Sequence, residues 1–362
     1  MFILSKWRDA DLVPTDRPLT MHVSRGDRLD WIELGRGLAA FAVVLSHVDM
    51  WRLPDGLRAI HDLGRWGVAF FFVLSGFIIF HVHAQDIGTP RRAPHFAWRR
   101  FLRLFPLYWG VFLLLLLLRT RLGDASYAPH IDSSYILQQA LLLPGGLLVN
   151  TAWTLRHELL FYGIFLVAIL NRTVGALLFL VWLSIIVASI PLNGLVEEWP
   201  RPASNFITSH LNLYFFFGMA IAAAHRKKCN SSLLISLVVA TAFVSLLRLL
   251  WPSDYTMAAV QVLASTLAVS LAVWQHDANV PAPPGSRLLG EISYPIYLIH
   301  PTCYLVARGV VKRLGAFLPV PLTIEFLLAI IMSIGAAIFL ARLLRRLYRI
   351  ASIRSISLKL DN

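Results

Sequence analysis

Arg36 and His47 stand eleven positions apart within the apolar stretch Leu34–Met50. An α-helix turns 100° per residue, so this spacing closes to roughly 20° past three full turns, with about 16 Å of rise. A cation and a titratable imidazole therefore share one face of a segment apolar enough to enter a membrane. Charges facing lipid are expensive, so such a stripe is expected to point inward, to an internal pathway or site. Arg100 and Arg103 lie one helical turn apart, on one face, in W-R-R-F-L-R-L-F-P-L-Y-W. Glu158 lies in the otherwise apolar run W-T-L-R-H-E-L-L-F-Y. The chemistry on offer is anion binding by guanidinium groups and proton transfer by an imidazole with a carboxylate beside it.

Each residue also has a plainer reading. Arg36 alone is a snorkelling anchor, and His47 alone an interfacial histidine. Asp49 either orients a protonated His47 or marks the outer boundary. Arg36, Arg99, Arg100 and Arg103 could hold a phosphorylated ligand or anionic lipid headgroups. His47 and Glu158 are expected at similar depth in the outer half, as a base and its orienter. Gly67, Ser75 and Gly76 read as small residues that let helices approach. In G-E-I-S-Y-P-I-Y-L-I-H-P, Pro295 and Pro301 are expected to bend the helix. Tyr294, Tyr297 and His300 are expected in the wall of the same cavity, with Trp153, Tyr297 and His300 as substrate contacts. No Gly-rich phosphate loop, metal-ligand cluster or G-x-S-x-G element is present, so covalent serine and zinc chemistry have no support. Cys229 and Cys303, the two cysteines, imply no disulfide framework.

The elements that must position these residues are apolar blocks. The chain has 362 residues, 57% hydrophobic and only 15% charged, and a mean hydropathy of +0.65. The expected fold class is an all-α polytopic membrane protein with about ten transmembrane helices. The blocks run near 32–51, 64–83, 103–119, 153–170, 174–190, 208–224, 232–250, 257–274, 291–311 and 323–343. A shorter apolar patch at 137–149, broken by Pro144-Gly145-Gly146, reads as a re-entrant or interfacial element on the outer side. If it crossed fully, the count would be eleven and the C-terminus would move outside.

The net charge of +13 is not a nucleic-acid signature in such a chain, because basic residues in loops set topology. With the N-terminus in the cytoplasm, the inside segments hold Arg91, Arg92, Arg99, Arg100, Arg172, Arg226, Lys227, Lys228, Arg287, Arg342, Arg345, Arg346 and Arg349. Outside loops hold Arg52, Arg58, Arg119, Arg121 and Arg201 among Asp55, Asp62, Asp124, Asp132, Glu197 and Glu198, with Lys312-Arg313 as an exception. Both termini are thus expected in the cytoplasm. Residues 1–29 read as a partly disordered tail without a cleaved signal peptide, with Met21 as an alternative start. Residues 30–345 read as one transmembrane domain, and 346–362 as a basic cytoplasmic tail.

This orientation puts the arginines towards the inner surface and His47 towards the outer one. A long anionic donor such as an acyl-CoA could place its phosphates inside and its reactive end near His47. A secondary transporter or flippase of a sugar-linked substrate would also use a polar stripe. A non-catalytic membrane subunit of a polysaccharide assembly complex is a third, weaker reading.

Five motifs occur in order. They are Leu29-Asp30-Trp31 with Arg36, ten residues and His47; Gly67–Phe77; Arg100-Phe101-Leu102-Arg103 with Phe105-Pro106-Leu107-Tyr108; Trp153–Tyr162; and Tyr294–Pro301. In this order the chain resembles the acyltransferase-3 family of integral-membrane O-acyltransferases over about residues 29 to 345. Thr154 stands where that pattern usually has serine. The resemblance implies transfer of an acyl group, usually acetyl, from cytoplasmic acyl-CoA to a hydroxyl of a sugar or polysaccharide at the outer face of a bacterial inner membrane. It implies a general-base role for His47, donor phosphates held by Arg36, Arg100 and Arg103, and a supporting role for Glu158. The implied partners are membrane lipids, acyl-CoA (acetyl-CoA) and a glycan acceptor, with no metal.

Overall fold

A computed structural model describes residues 29–47, 59–122, 132–193, 206–228, 230–250, 253–314 and 322–360. The tail with Met21, Asp49, Cys229, the stretch from Arg52 to Arg58, Asp124, Glu197, Glu198 and Arg201 lie outside the described residues. Among the described residues every regular element is helical. The α-helices are α1 (Asp30–Ser46), α2 (Ala59–His83), α3 (Ala93–Leu122), α4 (Ser133–Ala140), α5 (Trp153–Leu170), α6 (Arg172–Asn193), α7 (Leu213–Arg226), α8 (Asn230–Leu250), α9 (Asp254–Asp277), α10 (Ser286–Leu314) and α11 (Leu322–Leu360).

The protein is an all-α membrane protein. Six stretches among the described residues are long and apolar enough to cross a membrane: Asp62–His83, Pro90–Leu118, Asn150–Leu170, Arg172–Ile190, Tyr255–Asp277 and Ile324–Arg346. The expected ten are not all of this kind, and the reason is chemical. At 17 and 14 residues, α1 and α7 are short. α10 mixes its apolar residues with Arg287, Glu291, Arg308, Lys312 and Arg313 and carries Pro295 and Pro301 within it. The helices that depart most from a plain span include those that carry the candidate site residues.

α1 runs beside α10 in the same direction. At one end Arg287 Nη2 is 2.8 Å from Asp30 Oδ2; at the other the His47 and His300 rings are 4.7 Å apart. The hydrogen bonds to Asp30 push the exposed Arg287 guanidinium above its ordinary range. Glycine makes the approach close: a Cβ at Gly37 would run into Leu289, and one at Gly290 into Glu33. On the other side of α1, Gly67 of α2 meets the Ala39 carbonyl. α2 in turn packs against α7, where Gly76 and Gly218 bring the Phe215 and Val73 backbones into contact. Phe161 and Phe215 stack at 4.6 Å, closing α5 onto α7.

α11 returns antiparallel to α10, with Arg345 Nη2 2.9 Å from Glu291 Oε2 and Cys303 within hydrogen-bonding reach of Ser333. It continues to Leu360 without a break at the expected start of a C-terminal tail.

The segment around 137–149 does not cross as a helix. α4 has eight residues, about 12 Å, against a hydrocarbon core of about 30 Å. The loop after it is non-helical and well satisfied. Tyr108 Oη donates to the Gln139 carbonyl at 2.6 Å and Trp109 Nε1 to Ala140 at 2.9 Å. Arg156 donates to the carbonyls of Leu142, Leu143 and Gly145. The Gln139 side chain bridges Gly146 and Leu148, each at 2.8 Å. Irregular backbone can lie at membrane depth only with such partners.

Candidate functional site

The site has two parts, joined by Tyr297. The first is a guanidinium–carboxylate cluster. Arg36, six residues into α1, donates to Glu33 Oε2 at 3.3 Å, one turn back. Arg100, from the first half of α3, lies over the rings of Phe96 and Tyr162 at 5.7 and 5.6 Å. Both arginines are only 7% exposed. That burial removes the snorkelling-anchor reading of Arg36. Arg103 is one turn further along α3, half-buried, with Tyr162, Glu158, Tyr294 and Glu33 as its electrostatic neighbours. Glu158, on α5, accepts from Tyr162 Oη and, at 3.5 Å, from Ser75 Oγ of α2. It also lies in the field of Arg36, Arg100 and Arg103. Three guanidiniums thus face two carboxylates. Arg100 Nε and Nη1 are buried with no hydrogen-bond partner among the described residues. Such groups normally find an acceptor.

The second part is an imidazole pair. His47 follows the last helical residue of α1 and is half-buried; His300, on α10, is 2% exposed. Their rings meet edge-on at 4.7 Å. His47 Nδ1 is 2.9 Å from the Val43 carbonyl, and His300 Nδ1 is 3.1 Å from the Ile296 carbonyl. A carbonyl only accepts, so in each neutral ring Nδ1 carries the hydrogen and Nε2 keeps its lone pair. Backbone oxygens one turn back hold each ring in the tautomer that a base at Nε2 requires.

Tyr297 stands between the two parts. Its ring is 6.4 Å from His300. Its hydroxyl donates to the Thr151 carbonyl at 3.1 Å and lies 2.7 Å from Thr154 Oγ1. Thr154, in the place of the expected serine, thus keeps a hydroxyl that ties α5 to α10. Trp153 sits edge-on to His157 at 5.5 Å, and His157 Nδ1 is 2.8 Å from Asn212 Oδ1. The described contacts of Trp153 therefore lead towards α7.

One expected relation changes. His47 and Glu158 were expected side by side as base and orienter. The ring beside His47 is His300, and Glu158 is grouped with the arginines. Counting from span ends missed this because α5 begins low. Thr151, in the turn just before α5, and Thr154 within it meet Tyr297, one turn below His300, and Glu158 is another turn deeper. Two residues were undervalued in the sequence. Ser75 reads there as a small packing residue, and Tyr162 only as the end of a motif. The signal that could have found them is their shared depth with a membrane carboxylate, since its lone pairs need donors.

A helical membrane protein with a buried guanidinium cluster leading to a pair of neighbouring imidazoles has the parts of a group-transfer enzyme. Residues 29–342 match the acyltransferase domain family, and the chain belongs to it. It is an integral membrane acyltransferase. Comparison with curated proteins and with solved structures gives no significant match.

Proposed function

We propose that the protein transfers an acyl group, acetyl foremost, from a cytoplasmic acyl-CoA to a hydroxyl of a sugar or polysaccharide at the outer face of a bacterial inner membrane. The observation that carries this reading is the order of groups along the bundle interior: Arg36, Arg100 and Arg103, then Tyr297, then His47 with His300. A donor with an anionic end and a reactive end matches that order. The donor set fits an anion, because Arg100 offers two buried N–H groups that lack an acceptor among the described residues.

In the proposed step His47 Nε2 removes the hydrogen of the acceptor hydroxyl as its oxygen bonds to the thioester carbonyl carbon. The tetrahedral centre collapses, the carbon–sulfur bond breaks, and the thiolate takes the proton from His47 to leave as the CoA thiol. The imidazole ends as it began. Arg36, Arg100 and Arg103 hold the anionic part of the donor. Glu158, with Ser75 and Tyr162, keeps the guanidiniums apart and aimed.

The test is to incubate purified protein in lipid nanodiscs with radiolabelled acetyl-CoA and a bacterial envelope glycan fraction. Label in an ester linkage on the glycan is the expected result. Glycan bound but never acetylated would overturn the reading.

A further inference from the structure

His300 Nε2 is buried and has no hydrogen-bond partner among the described residues. The ring cannot turn this atom into a donor and stay neutral, because Nδ1 already carries its hydrogen to Ile296. A buried acceptor left unmet is destabilising, and such atoms are ordinarily satisfied by a ligand or an ordered water. His47 has the same tautomer, fixed by Val43, and its ring is 4.7 Å away. In the transfer step His47 Nε2 takes the hydrogen of the reacting hydroxyl. That hydroxyl has no second hydrogen to give. Two neighbouring acceptors therefore require two donor groups.

We propose that His300 binds the acceptor through a second hydroxyl. One hydroxyl gives its proton to His47 and is acylated, while a hydroxyl on the adjacent carbon donates a hydrogen bond to His300 Nε2. This rests on the O-acyl transfer reading and narrows it. The site takes an acceptor whose reacting hydroxyl has another beside it, and discriminates against an isolated alcohol. His300 moves no proton; the hydroxyl bound to it keeps its hydrogen throughout. Its role is to position the acceptor and select it.

Pro301 reinforces the position. It lacks an N–H, so the Tyr297 carbonyl loses its helical donor, and the His300 ring lies within hydrogen-bonding reach of the Tyr297 backbone as well as of Ile296. The ring is thereby held with Nε2 directed away from its own helix backbone.

The experiment compares cis-1,2-cyclohexanediol with cyclohexanol as acceptors, using nanodisc-embedded protein and radiolabelled acetyl-CoA, with the envelope glycan fraction in parallel. The expected kcat/KM for the diol exceeds that for the mono-alcohol by roughly five- to a hundredfold, the range set by leaving one buried acceptor unmet. In His300→Leu the ratio should fall towards one. In His300→Gln, whose amide oxygen can stand near the place of Nε2, part of it should return. Equal use of the two alcohols by the wild type overturns the proposal, whether or not the variants fold. So does an undiminished ratio in His300→Leu, or acylation of the glycan with neither small alcohol accepted. If the glycan is not acylated either, the transfer reading itself fails, and the role of His300 fails with it.

Discussion

Glu158 is one of two carboxylates among three guanidiniums, and that position separates its role from that of His47. His47 already has a carbonyl to hold its ring. His47→Ala removes the proposed base and should lower acyl transfer by about 10²–10⁴ while the protein folds normally. A folded His47→Ala protein with near-full activity would remove His47 from the chemistry. Glu158→Gln keeps the shape and deletes the charge that Tyr162, Ser75 and the arginines share. It should lower thermal stability, by on the order of 1–3 kcal/mol after allowing for its partial exposure, and should alter acyl-CoA affinity. An orienter of His47 would behave differently, lowering kcat with stability and donor affinity untouched. Arg100→Ala removes charge-assisted donors from a buried site and should weaken acyl-CoA binding by roughly 10- to 100-fold. Titration calorimetry on protein in nanodiscs reads this directly, and unchanged affinity would return the arginines to a lipid-binding role.

At the scale of elements, α5 does two jobs with residues two positions apart. Glu158 faces the guanidinium cluster, and Arg156, one half-turn away, clamps the loop after α4 through three carbonyls. The loop needs the clamp, because Leu142 has a positive φ of 57° and Gly145 one of 125°, a region that disfavours leucine. Arg156→Ala should therefore loosen residues 141–149 by about 2–4 kcal/mol, as several charge-assisted hydrogen bonds are lost together. Hydrogen exchange followed by mass spectrometry should show faster exchange in those peptides, with the α2–α7 contact unaffected. Arg156→Lys, without the planar fork, should restore little. This clamp also shows what a sequence can reveal. Pro144-Gly145-Gly146 announces broken backbone, and the apolar run around it announces burial. The partner does not show, since a side chain reaching carbonyls across a loop has no periodicity. The same holds for Ser75, whose small size fits both a packing role and a hydrogen bond to Glu158. Arg36 and His47 were legible because they stand at helical spacing, one within α1 and the other at its C-terminal cap.

For the molecule as a whole, the direction of the polar path follows from two helices lying side by side in the same sense. α1 and α10 meet through Arg287 and Asp30 at one end and through His47 and His300 at the other. Arg36 is nearer the first end, and about 16 Å of helix separates it from His47. The basic residues Arg91, Arg92, Arg226, Lys227 and Lys228 lie in the turns that join the helices or at their ends. In a bilayer such residues favour the cytoplasmic side. α2 ends at His83, eight residues before Arg91, and α7 ends at Arg226; the two helices run parallel, Phe72 meeting Phe215 and His81 meeting His225, so the turns emerge on one face. His83, at that end of α2, has Arg99 and Arg100 as electrostatic neighbours, which joins this face to the guanidinium cluster. Under the proposed function the donor would then enter from the cytoplasmic face and the acceptor from the other. Acetyl-CoA does not cross a sealed bilayer, so inverted and right-side-out vesicles carrying the protein separate the two faces. Transfer to glycan should require acetyl-CoA on the cytoplasmic face, in inverted vesicles, with the glycan enclosed. Right-side-out vesicles given acetyl-CoA outside should form product only after permeabilisation. Equal transfer from both faces would mean that the path has no fixed direction, and that the separation between Arg36 and His47 does not measure the reach of a donor.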